Sequence, residues 1–441
     1  MFALFHPLKW CGLDLGRHRW LFPLTGAVCT TLIGAVYAFS VFVKPLEDEF
    51  GWHRQQTTLA FSVAMFMFGL SASVGGLGVD RLGPRPVFTT GALLMVLAQI
   101  LASRVHTLGM LVWTYGVMLG IGIGFVYSAC TVALQSRWFP DVRRRGVAIG
   151  FALMGMGLGS ALAAPLWAWG ISLGGWRATY FVTGLVFLVL LAIAGTIIRF
   201  PARNQVFLPD SGWQVAAEVG GQHNRQSSEQ PGLTFRKAAA RREFWLLGLL
   251  FFLTVFGGLM VIAQLAAFAA EPAPGGPGFS RGAAVFLVTA LAVMNGVGRP
   301  TWGWMSAHLG TKFCLIVCPL VMMVAQLALT SRSSAVVAAG VLLTGFSFGG
   351  MLALLPVMTA AMFGPARLGA IYGVVFFLGF GLGGLAGPPT GGWLREVMGN
   401  YNGAFVVSGI MAALSSVMAW RLLPDPGRER LYEASGADGK G

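Results

Sequence analysis

The chain has 441 residues, of which 56% are hydrophobic and only 10% charged, and its net charge is +14. A soluble domain carries about 25% charged residues, so this composition excludes a water-soluble globular protein. The basic balance does not indicate nucleic-acid binding either, because the positive charges lie between apolar blocks and form no basic stripe. A protein embedded in a lipid bilayer accounts for both features.

Stretches of apolar residues recur along the chain at close to the roughly 20 residues that a helix needs to cross a bilayer. Because lipid offers no partner for unpaired backbone groups, such stretches must be helical. The sequence therefore predicts an all-α membrane protein with twelve transmembrane helices. In chain order they are expected at residues 20–44, 56–79, 87–103, 108–136, 146–170, 177–198, 244–270, 282–306, 313–330, 335–362, 368–394 and 401–423.

A hydrophilic stretch after the sixth predicted helix divides the chain in two. Its polar and turn-forming residues predict a linker over 199–243, between an N-terminal six-helix half (1–198) and a C-terminal six-helix half (244–423). The charged residues 424–441 are expected to form a tail. Loop motifs that repeat about 225 residues apart indicate two halves of parallel design.

The distribution of basic residues predicts the orientation in the membrane, because lysine and arginine favour the cytoplasmic side. Of the 30 lysines and arginines, seven fall in segments opposite the linker: Lys44, Arg54, Arg104, Arg177, Arg281, Arg332 and Arg395. We therefore expect both termini and the linker to be cytoplasmic, in a multi-pass protein of the plasma (inner) membrane.

The loop between predicted helices 2 and 3 carries glycine, acidic and basic residues at fixed spacing: Gly76, Asp80, Arg81, Gly83 and Arg85. This pattern resembles the signature loop of the major facilitator superfamily, whose fold has two six-helix halves. The resemblance implies that Asp80, Arg81 and Arg85 form a conformational latch at the cytoplasmic helix ends. A second copy of the loop has Ala307 where the acid would stand, so we expect a weaker latch there.

Further segments resemble the monocarboxylate transporters and their relatives, the oxalate:formate antiporters. They lie in helix 1 (37–46), at the entrance to helix 5 (138–146), in helix 8 (295–300) and in helix 11 (387–394). The resemblance covers all twelve spans and implies a secondary transporter of small organic anions. In these carriers an arginine of helix 8 anchors the substrate, and Arg299 occupies the matching place.

Arg299 is also the strongest site candidate on physical grounds. A charge inside a spanning helix costs about 2.5–3.5 kcal/mol on insertion scales, so such a residue normally faces a cavity and has a function there. Its planar guanidinium pairs with both oxygens of a carboxylate. The alternative is that Arg299 snorkels to the cytoplasmic surface. It lies eight residues before Ala307, or about 12 Å along the helix, which is a long reach.

Four polar residues inside spans are candidate partners of the substrate. Asn295 lies one turn before Arg299 on the same helix face. Tyr37, Tyr127 and Tyr372 carry phenols that require a polar partner in a lipid environment. Packing between helices is the alternative for each of the four. Phenylalanines of helices 10 and 11 are expected to form an apolar wall: Phe346, Phe348, Phe376, Phe377 and Phe380.

The charges of the site bear on substrate and coupling. Animal monocarboxylate transporters have an aspartate, thought to act in proton coupling, where this chain has Asn295, and none of its sixteen acidic residues lies inside a predicted span. The antiporters have a helix 11 lysine where this chain has Gly379. One fixed cation matches one carboxylate, which favours a monocarboxylate such as lactate or pyruvate, carried with protons. A proton would then travel on the substrate or on another group. Anion exchange of the oxalate:formate type, without protons, stays open, as does export of another small organic anion.

Other classes of protein fit the sequence less well. No Ser/His/Asp constellation, metal-ligand cluster or phosphate-binding glycine loop is present in a suitable context, so an enzyme is not expected. Cys314 and Cys318 are four residues apart but have no histidine or acidic companion, and neither a metal nor another cofactor is expected. A receptor that binds a metabolite without transporting it is a further alternative, although no signalling domain is recognisable. The expected partners are a small carboxylate, protons and the lipid bilayer, and the expected state is a monomer.

Overall fold

The computed structural model describes residues 9–10, 13–14, 18–139, 142–201, 205–208, 212–215, 233–273, 275–364 and 368–422. Within these ranges, residues 9–10, 13–14, 80, 132, 136, 142–146, 205–208, 212–215 and 368–370 are described by their backbone alone. Six spanning helices form the N-terminal half: α1 (Leu21–Gly34, Ala35–Ala38 and Ser40–Phe50), α2 (Arg54–Leu82), α3 (Pro84–Ala102), α4 (Leu108–Leu111, Val112–Met118 and Leu119–Cys130, followed by Val132–Trp138), and α5 and α6, which are continuous over Val142–Ile197. Six form the C-terminal half: α7 (Arg242–Ala270), α8 (Arg281–Leu309), α9 (Thr311–Ala328), α10 (Ser334–Phe363), α11 (Leu368–Phe376, Phe377–Gly381 and Leu382–Met398) and α12 (Asn402–Leu422). The prediction of twelve spans in two halves is confirmed.

The continuous helix Val142–Ile197 holds two spans because it bends sharply at Gly175. Its apolar part covers 51 residues, which at 1.5 Å per residue would reach roughly 75 Å, more than twice the bilayer core. Gly175 has φ 75°, a conformation that favours glycine, and it reverses the chain between α5 and α6. The sequence predicts a gap between the fifth and sixth spans. In the structure, Gly175 is the one residue of that gap that is not helical.

Two small antiparallel hairpins lie outside the spans and were not foreseen from the sequence. β1 (Lys9–Trp10) pairs with β2 (Leu13–Asp14), and β3 (Gln205–Leu208) pairs with β4 (Gly212–Val215) within the predicted linker. A short helix, Phe235–Ala239, precedes α7. Most of the predicted linker and all of the tail 424–441 lie outside the described residues, so their boundaries stay predictions.

Loops connect the helices on two opposite faces of the molecule. The linker face is the side where α6 ends and α7 begins, and the far face carries the turns at Gly51, Gly175 and Gly399. On the far face Glu49 accepts hydrogen bonds from Trp176 (2.6 Å) and Arg177 (2.5 Å). Desolvation raises the pKa of Glu49, but these bonds and the charge of Arg177 outweigh it and hold the pKa below its ordinary value.

The two halves meet along α2 against α11 and along α5 against α8. Glycine allows both contacts to be close: a Cβ added at Gly157 would lie 2.6 Å from Gly296 Cα, and one at Gly69 would lie 2.9 Å from Gly381 Cα. Towards the linker face, the Ser73 hydroxyl of α2 donates to the carbonyl of Gly373 in α11 at 2.7 Å. The two halves are therefore in close contact along these two pairs of helices.

Candidate substrate site

Arg299 reaches across the interface between the halves. It lies in the middle of α8, followed by Pro300, and its Nη1 donates to the backbone carbonyl of Leu153 in α5 at 3.1 Å. The same nitrogen is 3.7 Å from Met156 Sδ, and Nε donates to Asn295 Oδ1 at 3.4 Å. The guanidinium is therefore directed at the opposite half and not at the linker face, which is not the geometry of a snorkelling side chain.

The second terminal nitrogen of Arg299 is buried and unsatisfied. Within the described part of the chain, Nη2 has no hydrogen-bond partner, and Arg299 forms no salt bridge to an acidic side chain. An unpaired charge away from water is costly, and the cost falls when an anion pairs with it. The site therefore offers a fixed cation whose Nη2 amino group has no acceptor among the described residues.

The three predicted tyrosines converge on this cation from three helices. The charge of Arg299 acts on the hydroxyls of Tyr37 in α1, Tyr127 in α4 and Tyr372 in α11. The hydroxyls of Tyr127 and Tyr372 lie near each other. Tyr37 lies in the 3₁₀ turn Ala35–Ala38 that interrupts α1, and its buried hydroxyl has no partner among the described residues. The structure thus brings together all five predicted substrate-binding residues, since Asn295 contacts Arg299 directly.

An aromatic cluster lies beside the tyrosines. Phe376 and Phe380 of α11 stack at 4.8 Å between ring centroids, and Phe376 also stacks on Tyr127 at 6.0 Å. Phe348 of α10 packs edge-on to Tyr37 at 6.0 Å. These three phenylalanines belong to the predicted apolar wall.

The other two predicted wall residues lie elsewhere, and one contributor was missed. Phe346 packs on Trp302, and Phe377 packs on Phe66. Phe68 of α2 instead contacts Tyr127, Phe376 and Phe380, at centroid distances of 5.3, 5.5 and 5.3 Å. Only the packing of α2 against α11 reveals Phe68, because no local sequence pattern distinguishes it from its neighbours.

Helix α11 has no room for a second cation at Gly379. This glycine lies in the π-helical segment Phe377–Gly381, and the space that its side chain would take is filled by the ring of Phe251 from α7. Phe251 is fully buried. A lysine at position 379 would require Phe251 to move.

The predicted latch residues are only partly described. Arg85 donates from Nε to the carbonyl of Ile198 at 3.0 Å and from Nη2 to the carbonyl of Thr196 at 3.5 Å, so it caps the end of α6 within its own half. Arg81 is exposed, and the side chain of Asp80 lies outside what the structure describes. A latch between the halves stays a prediction.

A cluster of paired charges joins the halves at the far face, and it was not foreseen. It consists of Glu47 and Arg54 from the N-terminal half and Glu271, Arg395 and Tyr401 from the C-terminal half. Arg54 bonds Glu47 (3.0 Å) and the Tyr401 hydroxyl (2.7 Å), and it lies 3.8 Å from Glu271. Arg395 donates from Nε to Glu271 at 3.0 Å. Burial raises the pKa of Tyr401 to about 12 although Arg54 opposes the shift, so the phenol stays neutral.

A cavity of about 870 Å³ opens between the halves beside this cluster, and we call it the vestibule. Its lining carries six charged side chains: Lys44, Asp48, Arg54, Glu271, Arg281 and Arg395. Ser40 and Val41 also line it, three and four residues after Tyr37 in α1, whereas Arg299 does not. The vestibule therefore leads from the far face towards the Arg299 site and ends before it.

Twelve spanning helices in two facing halves, with a cation at the interface between them, are the architecture of a membrane transporter. The chain belongs to the Major Facilitator Superfamily, whose model matches residues 25–273 and 265–439. It is similar to the oxalate:formate antiporter of Oxalobacter formigenes, with 26% identity over 419 residues that cover 93% of each chain. Monocarboxylate transporter 13 of Rattus norvegicus is 27% identical over 401 residues, covering 89% of this chain and 86% of the relative.

A solved structure supports the fold alone. A bacterial homolog of the human lysosomal transporter Spinster, in an inward-facing and unoccupied conformation, superposes with a TM-score of 0.67 at 16% identity. The match covers 91% of this chain and 96% of that one. The chain is thus a transporter of the Major Facilitator Superfamily, related to the monocarboxylate transporters and the oxalate:formate antiporter.

Proposed function

We propose that this protein is a secondary transporter of small monocarboxylates, such as lactate or pyruvate, which it carries with protons by alternating access. The observation that carries the proposal is Arg299: a cation at the interface of the halves, with a buried Nη2 and no acidic partner among the described residues. A carboxylate is the ligand that a guanidinium binds through two parallel N–H groups. In this proposal the orientation is the one that the basic residues predict, with both termini cytoplasmic in the plasma (inner) membrane.

Each neighbouring residue has a part in the proposed binding. The substrate carboxylate accepts from Arg299, and the free hydroxyl of Tyr37 donates to it. Asn295 holds the guanidinium in place through Nε, while the Tyr127 and Tyr372 hydroxyls supply further polar contacts. The short alkyl end of the substrate packs against the phenylalanines of the aromatic cluster.

Binding is coupled to movement of the halves through charge. Arg299 belongs to the C-terminal half and contacts Leu153 of the N-terminal half, so an anion bound there lies between the two. Pairing neutralises the cation and lowers the cost of enclosing it in a site without water. The proposed cycle closes the halves around a neutral pair and opens them on the other side, with Asp80, Arg81 and Arg85 as the predicted latch.

The charge balance favours a monoanion. Arg299 is the one basic residue in the interior of a predicted span, since Lys44, Arg177 and Arg421 stand at or near span ends. Phe251 fills the space at Gly379 where the antiporters have a lysine. A dianion such as oxalate would bring a second negative charge with no fixed cation to meet it. The cost of leaving that charge unpaired in a buried site opposes dianion binding.

Anion exchange is the second candidate, and one observation favours it. Asn295 cannot titrate, and no described acidic side chain is paired with Arg299 in place of a substrate. A carrier whose cation is neutralised only by substrate moves back most readily when it is loaded with another anion. That behaviour is exchange.

Uptake of labelled L-lactate into proteoliposomes tests the proposal. With an inward proton gradient, we expect accumulation that disappears when a protonophore collapses the gradient. Exchange would instead require liposomes preloaded with a small anion and would not respond to the gradient. Absence of both gradient-driven uptake and exchange, for lactate, pyruvate and formate alike, would contradict the proposed function.

A further inference from the structure

The charges of the vestibule do not cancel. Lys44 pairs with Asp48 at 2.5 Å, and Arg395 pairs with Glu271 at 3.0 Å. Arg54 pairs with Glu47 at 3.0 Å. The fourth cation of the lining, Arg281, is exposed and has no acidic partner within the described part of the chain. The vestibule therefore holds one unneutralised positive charge on its wall.

Two further features direct that charge at an anion. Arg281 is the first residue of α8, a helix of 29 residues, so the positive end of the helix dipole adds to its charge. Deeper in the vestibule, the hydroxyl of Ser40 is buried, with 1% of the residue exposed, and it has no hydrogen-bond partner among the described residues. The vestibule thus has a free cation on its wall and a free hydroxyl donor on its lining.

The vestibule is large enough to hold a hydrated anion. Its volume of about 870 Å³ lies at the upper end of the range of roughly 300–1,000 Å³ seen for small-molecule sites. A three-carbon acid needs only part of this space, so the anion keeps water around it. A net positive charge in a concave site raises the local concentration of an anionic ligand.

We propose that the vestibule is a second binding site for the transported carboxylate, a loading site on the far face in which Arg281 attracts the anion before it reaches Arg299. The identity of the anion rests on the proposed function. The attraction of an anion rests on the positive charge of the vestibule alone. Exit from the loading site passes Ser40 and continues towards Tyr37, one turn earlier in α1.

Uptake kinetics test the loading role. Arg281→Gln should raise the KM for lactate by about threefold to tenfold at low ionic strength, with a smaller change in the maximal rate, because steering acts on the encounter. Added salt should raise the KM of the unmodified protein and reduce the difference in KM between it and Arg281→Gln. The reason is that salt at 0.1 M screens exposed charges beyond a distance of about 10 Å. Arg281→Lys keeps the charge and should behave like the unmodified protein.

Arg332→Gln is the matched control. Arg332 is basic, exposed and on the far face, but it does not line the vestibule. Its loss should leave the KM and the salt dependence unchanged. Equal kinetics for Arg281→Gln and Arg332→Gln would overturn the loading site, while a transport-dead Arg299 variant would still support the proposed function.

Thiol labelling tests the vestibule even if lactate is not the substrate. Ser172 is exposed on the vestibule wall, and Ser333 is exposed on the far face outside it. An anionic methanethiosulfonate should modify Ser172→Cys faster than a cationic one, and adding Arg281→Gln should reduce that ratio by about threefold or more. The ratio at Ser333→Cys should not respond to Arg281→Gln. If the ratio of anionic to cationic labelling rates at Ser172→Cys did not change with Arg281→Gln, that result alone would overturn the inference.

Discussion

Two partly buried arginines at the interface between the halves have opposite surroundings. Arg54 at the far face meets Glu47, Glu271 and the Tyr401 hydroxyl, so its charge is compensated from both halves. Arg299 in the middle of α8 meets a backbone carbonyl, an amide and tyrosines, and within the described residues no acid. A compensated arginine holds two halves together. An uncompensated one is suited to bind an anion that arrives and leaves.

The largest expected effect is on transport at Arg299. Arg299→Gln should lower the rate of carboxylate uptake by about 1,000-fold, or about 4 kcal/mol, because the amide cannot pair with the substrate charge. The folded state should be no less stable, since the substitution removes an uncompensated buried charge. Uptake into proteoliposomes and thermal unfolding in detergent measure the two effects. Substantial uptake by this variant would contradict the role of Arg299 in substrate binding, and with it the contrast between the two arginines.

Arg54→Gln should show the reverse pattern. It leaves Glu47 and Glu271 without their shared cation, which should lower the free energy of unfolding by roughly 3 kcal/mol. Removing Glu47 in the same chain should restore part of that loss. Thermal unfolding of the single and double variants, beside Arg299→Gln, gives the measurement. If Arg54→Gln unfolded at the same temperature as the unmodified protein, the ion pairs of Arg54 would not stabilise the folded state.

Glu271→Gln sharpens the comparison, because it removes the acid that both halves share and leaves the bond between Arg54 and Glu47. We expect the far face to open more often, so that the buried Ser40→Cys reacts with thiol reagents about fivefold faster, equivalent to about 1 kcal/mol. Glu243→Gln is a suitable control, since Glu243 pairs only with the adjacent Arg242 among the described residues. An unchanged labelling rate would show that Glu271 does not hold the halves together.

The helices were predictable because lipid leaves few choices to an apolar chain. The length of each apolar block and the lack of backbone partners in the bilayer determine twelve helices, and even the reversal at Gly175 falls in a predicted gap. Arg299 was predictable for the same reason, since a charge in such a block is costly. Local rules sufficed for both.

Features that depend on how helices pack were not predictable. Phe68 reaches the tyrosines only because glycines let α2 approach α11, and Phe346 and Phe377 turn away although they sit in the same helices as the aromatic cluster. Arg54 and Glu271 lie in different halves and looked like separate loop charges. Sequence periodicity contains no information on which helix faces meet across the interface.

The smallest expected effect concerns Tyr37, whose buried hydroxyl lies near Arg299 and has no partner among the described residues. If that hydroxyl donates to the substrate, Tyr37→Phe should raise the KM by about fivefold, which corresponds to the roughly 1 kcal/mol of one hydrogen bond. Tyr180→Phe is the matched control, because the Tyr180 hydroxyl is also buried and unpartnered among the described residues, but its ring stacks on Phe42. If the Tyr37 phenol only packs between helices, Tyr37→Phe and Tyr180→Phe should have the same effect on the KM. An effect confined to Tyr37 would show that the free hydroxyl, like the free nitrogen of Arg299, is kept for the substrate.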